Sequence, residues 1–148
     1  MVKKLTRQEK DKMYTDLQDR FNVLLAKAEG LREQIRNIDA AIIQWGATLN
    51  TLKTLKSMGS GKIVHIPVGP DIKVKVKLEE IDTVIMNVGS DIYAEFSYED
   101  VEKKIEEQVA LLRALRDSLS AELEKTVNEL KEILPKVRET GPAEDEKE

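Results

Sequence analysis

The sequence predicts an α+β fold, in which an antiparallel two-helix coiled coil flanks two consecutive β-hairpins that serve as a platform for assembly. Three observations carry this expectation. Apolar residues recur at alternating gaps of three and four from Tyr14 to Leu52. A second run of similar spacing begins at Val101. Between the two the period falls to two, interrupted only by "VGPD" and "VGSD". A helical seam repeats every 3.5 residues and a strand with one covered face repeats every second residue, so the periods separate helix from strand.

The first helix is expected over residues 6–58. Its seam reads Tyr14, Leu17, Phe21, Leu24, Ala28, Leu31, Ile35, Ile38, Ile42, Trp45, Leu49 and Leu52, and the flanks are mainly Lys, Arg, Glu, Asp and Gln. An ordinary amphipathic helix drifts out of phase over such a distance, whereas a strict 3.5-residue repeat specifies a left-handed coiled coil. At 1.5 Å per residue the helix is roughly 80 Å long, too long to be wrapped inside a small globule, so it is expected to project. Trp45 occupies a seam position, which makes it a packed residue rather than a platform for a cofactor.

The stretch "SMGSGKIV", residues 57–64, resembles the end of a phosphate-cradling loop. A P-loop needs glycine five positions before its GK pair and Ser or Thr after it; those positions hold Lys56 and Ile63. The order is also reversed, because a phosphate loop follows a strand and opens a helix. Gly59 or Gly61 is instead expected to end the helix in a left-handed conformation.

Residues 62–97 then alternate. The apolar sets are Val64, Ile66 and Val68; Ile72, Val74 and Val76; Val84, Met86 and Val88; and Ile92 with Phe96. Gly69 and Gly89 lie in the two turns and are free to take positive φ. Pro67 marks its strand as an edge or the site of a bulge. Two hairpins follow, and four short strands form an open sheet with one apolar face uncovered. Such a sheet is expected to pair or pack with another chain, and these eleven residues are the candidate platform.

The second helix is expected over residues 98–138, capped by Ser97, with Glu99 and Asp100 where the helix dipole favours anions. Its seam reads Val101, Ile105, Gln108, Leu112, Leu115 and Leu119, then jumps phase to Leu123, Val127, Leu130, Leu134 and Val137. Gln108 is the polar member that would fix register. Pro135 removes a backbone donor and is expected to kink or end the helix. Residues 139–148 are polar and acidic, a composition expected to stay disordered.

Composition narrows function. At 148 residues the chain is one domain, with 35% charged and 4% aromatic residues and a net charge of −4. The acidic balance argues against nucleic acid as a partner. No cysteine is present, so there is no disulfide framework and no thiolate metal site. No apolar run has the length of a signal peptide or a membrane span, which predicts a cytoplasmic protein with no membrane partner. A Cys-free, charge-rich chain also fits a heat-loving host. His65 is the single histidine and has no second ligand near it in sequence. Lys73, Lys75 and Lys77 line one strand face, where lysines commonly block wrong edge pairing. No residue set points to an enzyme, a metal or a cofactor.

With "IPVG" opening the first strand and "VIMNVGSDIYAEFSYEDV" leading into the second helix, the helix, double hairpin and returning helix resemble the α class of prefoldin across essentially the whole chain. "TLKTLKSMGSGK" and "KVKVKLEEIDTV" also resemble the filament-forming γ-prefoldin branch. The resemblance implies an ATP-independent holding chaperone. Two α-class and four β-class subunits would form a double β-barrel with six arms and pass unfolded clients to a group II chaperonin. Clients would be held at the coiled-coil tips by Met13, Tyr14, Leu17, Phe21, Val127, Leu130, Ile133, Leu134 and Val137. Two other readings stand beside it: a structural filament subunit, and a coiled-coil module that binds a partner protein or nucleic acid.

Overall fold

Six elements follow in chain order: helix α1 (Arg7–Met58), strands β1 (Ile63–Gly69), β2 (Ile72–Lys77), β3 (Thr83–Gly89) and β4 (Ile92–Ser97), and helix α2 (Tyr98–Glu139). They are seen in a computed structural model that describes residues 4–139. The acidic tail expected to be disordered lies, apart from Glu139, outside the described residues.

The chain divides into two compact units: Met1–Asp39 with Ala114–Glu148, and Ala40–Arg113. In the first unit α1 starts at a reciprocal capping box. The backbone N–H of Glu9 donates to Thr6 Oγ1 at 3.2 Å, and Glu9 Oε2 accepts from the Thr6 N–H at 3.1 Å. Two donors that a helix start would leave unpaired are thereby satisfied. The seam residues Leu24, Ala28 and Leu31 are buried, and Tyr14, Leu17, Phe21, Ile35 and Ile38 are half-buried. Lys27 pairs with Glu122 at 3.0 Å and Asp39 pairs with Arg116, so a rising number in α1 meets a falling number in α2. The helices run antiparallel.

The α2 seam differs from its expected phase. Gln108 and Leu115 are exposed, whereas Val109, Arg116, Thr126 and Ile133 turn inward. From Val109 the inward positions run through Leu112, Arg116, Leu119, Leu123, Thr126, Leu130, Ile133 and Val137, again at gaps of three and four. The four-and-four step therefore lies at Val101, Ile105 and Val109 rather than after Leu119. The physical reason is that two polar side chains are accommodated in the seam. Arg116 hydrogen-bonds Asp39 through Nε and, at 3.4 Å, through Nη2, which strengthens its hold on its charge. Thr126 Oγ1 donates to the Glu122 carbonyl at 2.9 Å. That bond satisfies its hydroxyl within the helix. Thr126→Val keeps the shape and removes a buried polar group with its bond, so thermal unfolding should find a change within about 1 kcal/mol. A loss of several kcal/mol would show that the hydroxyl supports more than its own turn.

α2 also passes through Pro135 and ends at Glu139, so the proline does not terminate it. The lost N–H falls near the helix end, where few intrahelical bonds remain to be lost.

In the second unit the hairpins are built as alternation demands. Val64 pairs with Val76 and Ile66 with Val74; Val84 pairs with Phe96 and Met86 with Ala94. Each first strand carries a register shift before its turn, leaving Val68 and Val88 as the extra residues. In the second turn Ser90 and Asp91 both take positive φ, 51° and 58°, the requirement of a type I′ hairpin. In the first turn positive φ falls on Asp71, at 59°, and not on Gly69. An Asp tolerates this because its short polar side chain bonds locally. Gly59 and Gly61, at φ 79° and 87°, end α1 as expected. Ser97 Oγ accepts from the Asp100 N–H at 3.1 Å and caps α2.

The single open sheet does not form. Two separate two-stranded sheets, β1–β2 and β3–β4, are present among the described residues. The segment Leu78–Asp82 keeps the two hairpins apart: its ends are held by Leu78 N–H to the Lys62 carbonyl at 2.7 Å and Tyr98 N–H to the Asp82 carbonyl at 2.9 Å.

Candidate functional site

Two surfaces, one in each unit, collect the residues singled out from the sequence. The first is the helix-end cluster of the first unit. Here Ile133 is buried, while Tyr14, Leu17, Phe21, Val127, Leu130, Leu134 and Val137 are half-buried. Leu17 and Ile133 line one small cleft with Arg20, Glu129, Glu132 and Lys136, so the two helix ends do meet. Met13 stays 37% exposed. It borders a shallow groove formed by α1 alone, with Glu9, Lys12, Asp16, Leu17 and Arg20. The cluster is thus partly self-satisfied: the seam is covered at its centre and apolar at its rim. The capping box at Thr6 and Glu9 gives this end a defined start, and its signal was present in "TRQE".

The second surface is the pair of hairpins. Val64, Val76, Val84, Met86 and Phe96 are half-buried, while Ile66, Val68, Ile72, Val74, Val88 and Ile92 are exposed, Ile92 to 62%. Covering one such Val or Ile fully is worth about 1.5–3 kcal/mol. An isolated two-stranded hairpin is marginal in water. These strands therefore gain stability from whatever covers them.

The base of the hairpins is held by Lys56. Its ammonium donates to the Ile81 carbonyl at 2.8 Å, lies 3.7 Å from Asp82 Oδ1 and sits 5.1 Å above the ring centre of Tyr98. Tyr98 itself is buried, and burial, followed by the Glu102 carboxylate, raises its phenol above the usual range. Lys56 falls at the next seam position after Leu52, but a charged residue there gives no apolar signal, so it escapes sequence reading. His65 is exposed and lies opposite Lys75. Among the described residues no group of three or more His, Asp or Glu is placed to hold a metal. No described helix is long and apolar enough to cross a membrane.

Comparison with known proteins agrees with this arrangement. The family model for prefoldin subunits matches residues 24–142. The chain belongs to the prefoldin family. Among similar relatives, prefoldin subunit alpha 2 of Methanocaldococcus jannaschii is 33% identical, over 87% of this chain and 88% of the relative. A putative prefoldin subunit alpha of Aquifex aeolicus is 37% identical over 83% of each. Among solved structures, filamentous PFD from Methanocaldococcus jannaschii matches with a TM-score of 0.67 and 35% identity, covering 78% of this chain and 95% of the other. The two long helices and two antiparallel hairpins match the prefoldin fold. It places the chain in a family of chaperone-type proteins, with the α-class subunits as its relatives.

Proposed function

We propose that this chain is the α-class subunit of an ATP-independent holding chaperone. The hairpins join it to further prefoldin subunits, in the closed form as two α-class and four β-class chains around a β-barrel platform. The helix-end cluster holds unfolded cytoplasmic proteins, which then pass to a group II chaperonin. The observation that carries the reading is the half-covered state of Tyr14, Leu17, Phe21, Leu130, Leu134 and Val137 together with exposed Met13. A client's apolar segment removed from water against such residues gains about 25 cal/mol per Å². One weak site is strengthened by its copies through effective concentration when several subunits share an assembly.

The test is Leu17→Ser, Phe21→Ser, Leu130→Ser and Leu134→Ser together. The variant should assemble as the parent does and lose most of its suppression of aggregation of a denatured client, about tenfold or more in the amount of chaperone needed. Unchanged suppression by an intact assembly would remove this cluster from the holding site.

A further inference from the structure

We infer that the two hairpins carry opposite charges in order to select each other between copies, β2 of one chain pairing with β4 of a second. The inference rests on the hairpins being the assembly surface. Residues 63–77 hold three lysines and one aspartate, a charge of +2 with His65 neutral; residues 83–97 hold Asp91 and Glu95 and no base, a charge of −2. In a chain whose net charge is −4, the first hairpin is thus locally basic and the second locally acidic. Lys73, Lys75 and Lys77 share one face of β2 and meet no carboxylate among the described residues. Glu95 sits on the corresponding face of β4, accepting only from the Thr83 hydroxyl at 3.3 Å.

The backbone points to the same two strands. β1 contains Pro67, which lacks an N–H, and both β1 and β3 carry a register shift, at Val68 and Val88. β2 and β4 are the regular strands, six residues each, and each is paired on one side only. Their apolar residues, Ile72, Val74 and Val76 on β2 and Ile92, Ala94 and Phe96 on β4, fall on alternate positions. In the two antiparallel registers that align these apolar faces over most of the strands, Glu95 lies directly opposite Lys73 or Lys75. Pairing β2 with another β2 would instead oppose lysine to lysine, and β4 with β4 would bring two Glu95 carboxylates onto one narrow face. Like charges directly opposite destabilise a strand pair and opposite charges stabilise it. The pairing is consequently selected by charge, whereas the apolar faces alone would allow all three combinations. Two reciprocal β2–β4 contacts close on a two-fold axis, each copy giving one strand and receiving the other.

The experiment measures self-association of the full chain by sedimentation at about 0.1 M salt, where surface charges still interact over roughly 10 Å. Glu95→Lys should weaken association about tenfold, since an attractive pair becomes a repulsive one. Lys73→Glu, Lys75→Glu and Lys77→Glu together should weaken it at least as much. Combining all four changes should recover most of the loss, because the charges are exchanged and not removed. Circular dichroism of each variant reports that the helices remain. Parental association by both charge variants, or no recovery in the combination, overturns charge selection while leaving the hairpins as the assembly surface. A parent chain that stays monomeric alone and assembles only with a different, acidic subunit overturns the choice of a second copy. A parent that assembles with nothing removes the assembly reading itself, and aggregation suppression by the helix-end cluster is scored separately.

Discussion

Ile105→Ala should lower the unfolding free energy by about 2–5 kcal/mol, the cost of emptying a fully buried aliphatic site. Ile105 is 1% exposed. Val101, one turn before it, and Tyr98, two turns before it, are also buried, and Tyr98 carries Lys56 over its ring. Interiors are close-packed, so little relaxation is available to refill a void at Ile105. Leu115→Ala is the matched control. Leu115 has the same apolar character and a seam-like spacing, yet it is 50% exposed. Its loss should cost less than about 1 kcal/mol. Denaturant unfolding at one fixed protein concentration checks both, because assembly adds concentration-dependent stability. Equal costs at the two positions would mean that α2 faces its partner helix in the phase set by Leu115, and the observed seam would be wrong.

That contrast shows what the sequence makes legible. α1 could be read residue by residue because every seam position from Tyr14 to Leu52 is apolar or aromatic and also buried or half-buried, with half-buried Asp39 beside the seam as the charged exception. α2 was read correctly at Val101, Ile105, Leu112, Leu119, Leu123, Leu130 and Val137, and misread at Gln108 and Leu115, where Val109 and Arg116 turn inward, and at Thr126, which was passed over. Taking Gln108 kept the three-and-four spacing but passed over apolar Val109, and a pattern of apolar residues then preferred Leu115 to Arg116. The information that restores the phase is pairwise: Asp39 on α1 satisfies Arg116, and the Glu122 carbonyl satisfies Thr126. The hairpins were legible from alternation, and their turns from "GPD" and "GSD". The bulges fall at equivalent positions in the two hairpins; the first turn differs because Pro70 fixes a negative φ at its first position and leaves the positive φ to Asp71. The independence of the two hairpins was also hidden, since four alternating strands fit one sheet as readily as two. Of the helix-end residues, the degree of cover was not readable, because it depends on which α2 residues lie opposite.

Pro135→Ala should have the opposite sign to the core change and raise stability by about 1–3 kcal/mol. α2 continues through this position, so proline there removes one N–H and leaves the Lys131 carbonyl without its helical partner. A proline in a helix interior costs about 3 kcal/mol relative to alanine, and the nearness of Glu139, the last helical residue, reduces the figure. Alanine restores the bond and lets the last turn hold Ile133, Leu134 and Val137 against α1 more firmly. This separates two ways in which the cluster could hold a client. If the half-covered side chains must part to admit an apolar segment, a firmer helix end opposes opening, and suppression of aggregation should fall even as the melting temperature rises. A variant both more stable and less active cannot be explained by misfolding. If suppression is unchanged while stability rises, the client is held on the residues already exposed at the rim, Met13 above all, and opening plays no part. If stability does not rise, Pro135 is accommodated without loss, and the weak point of the helix end lies elsewhere.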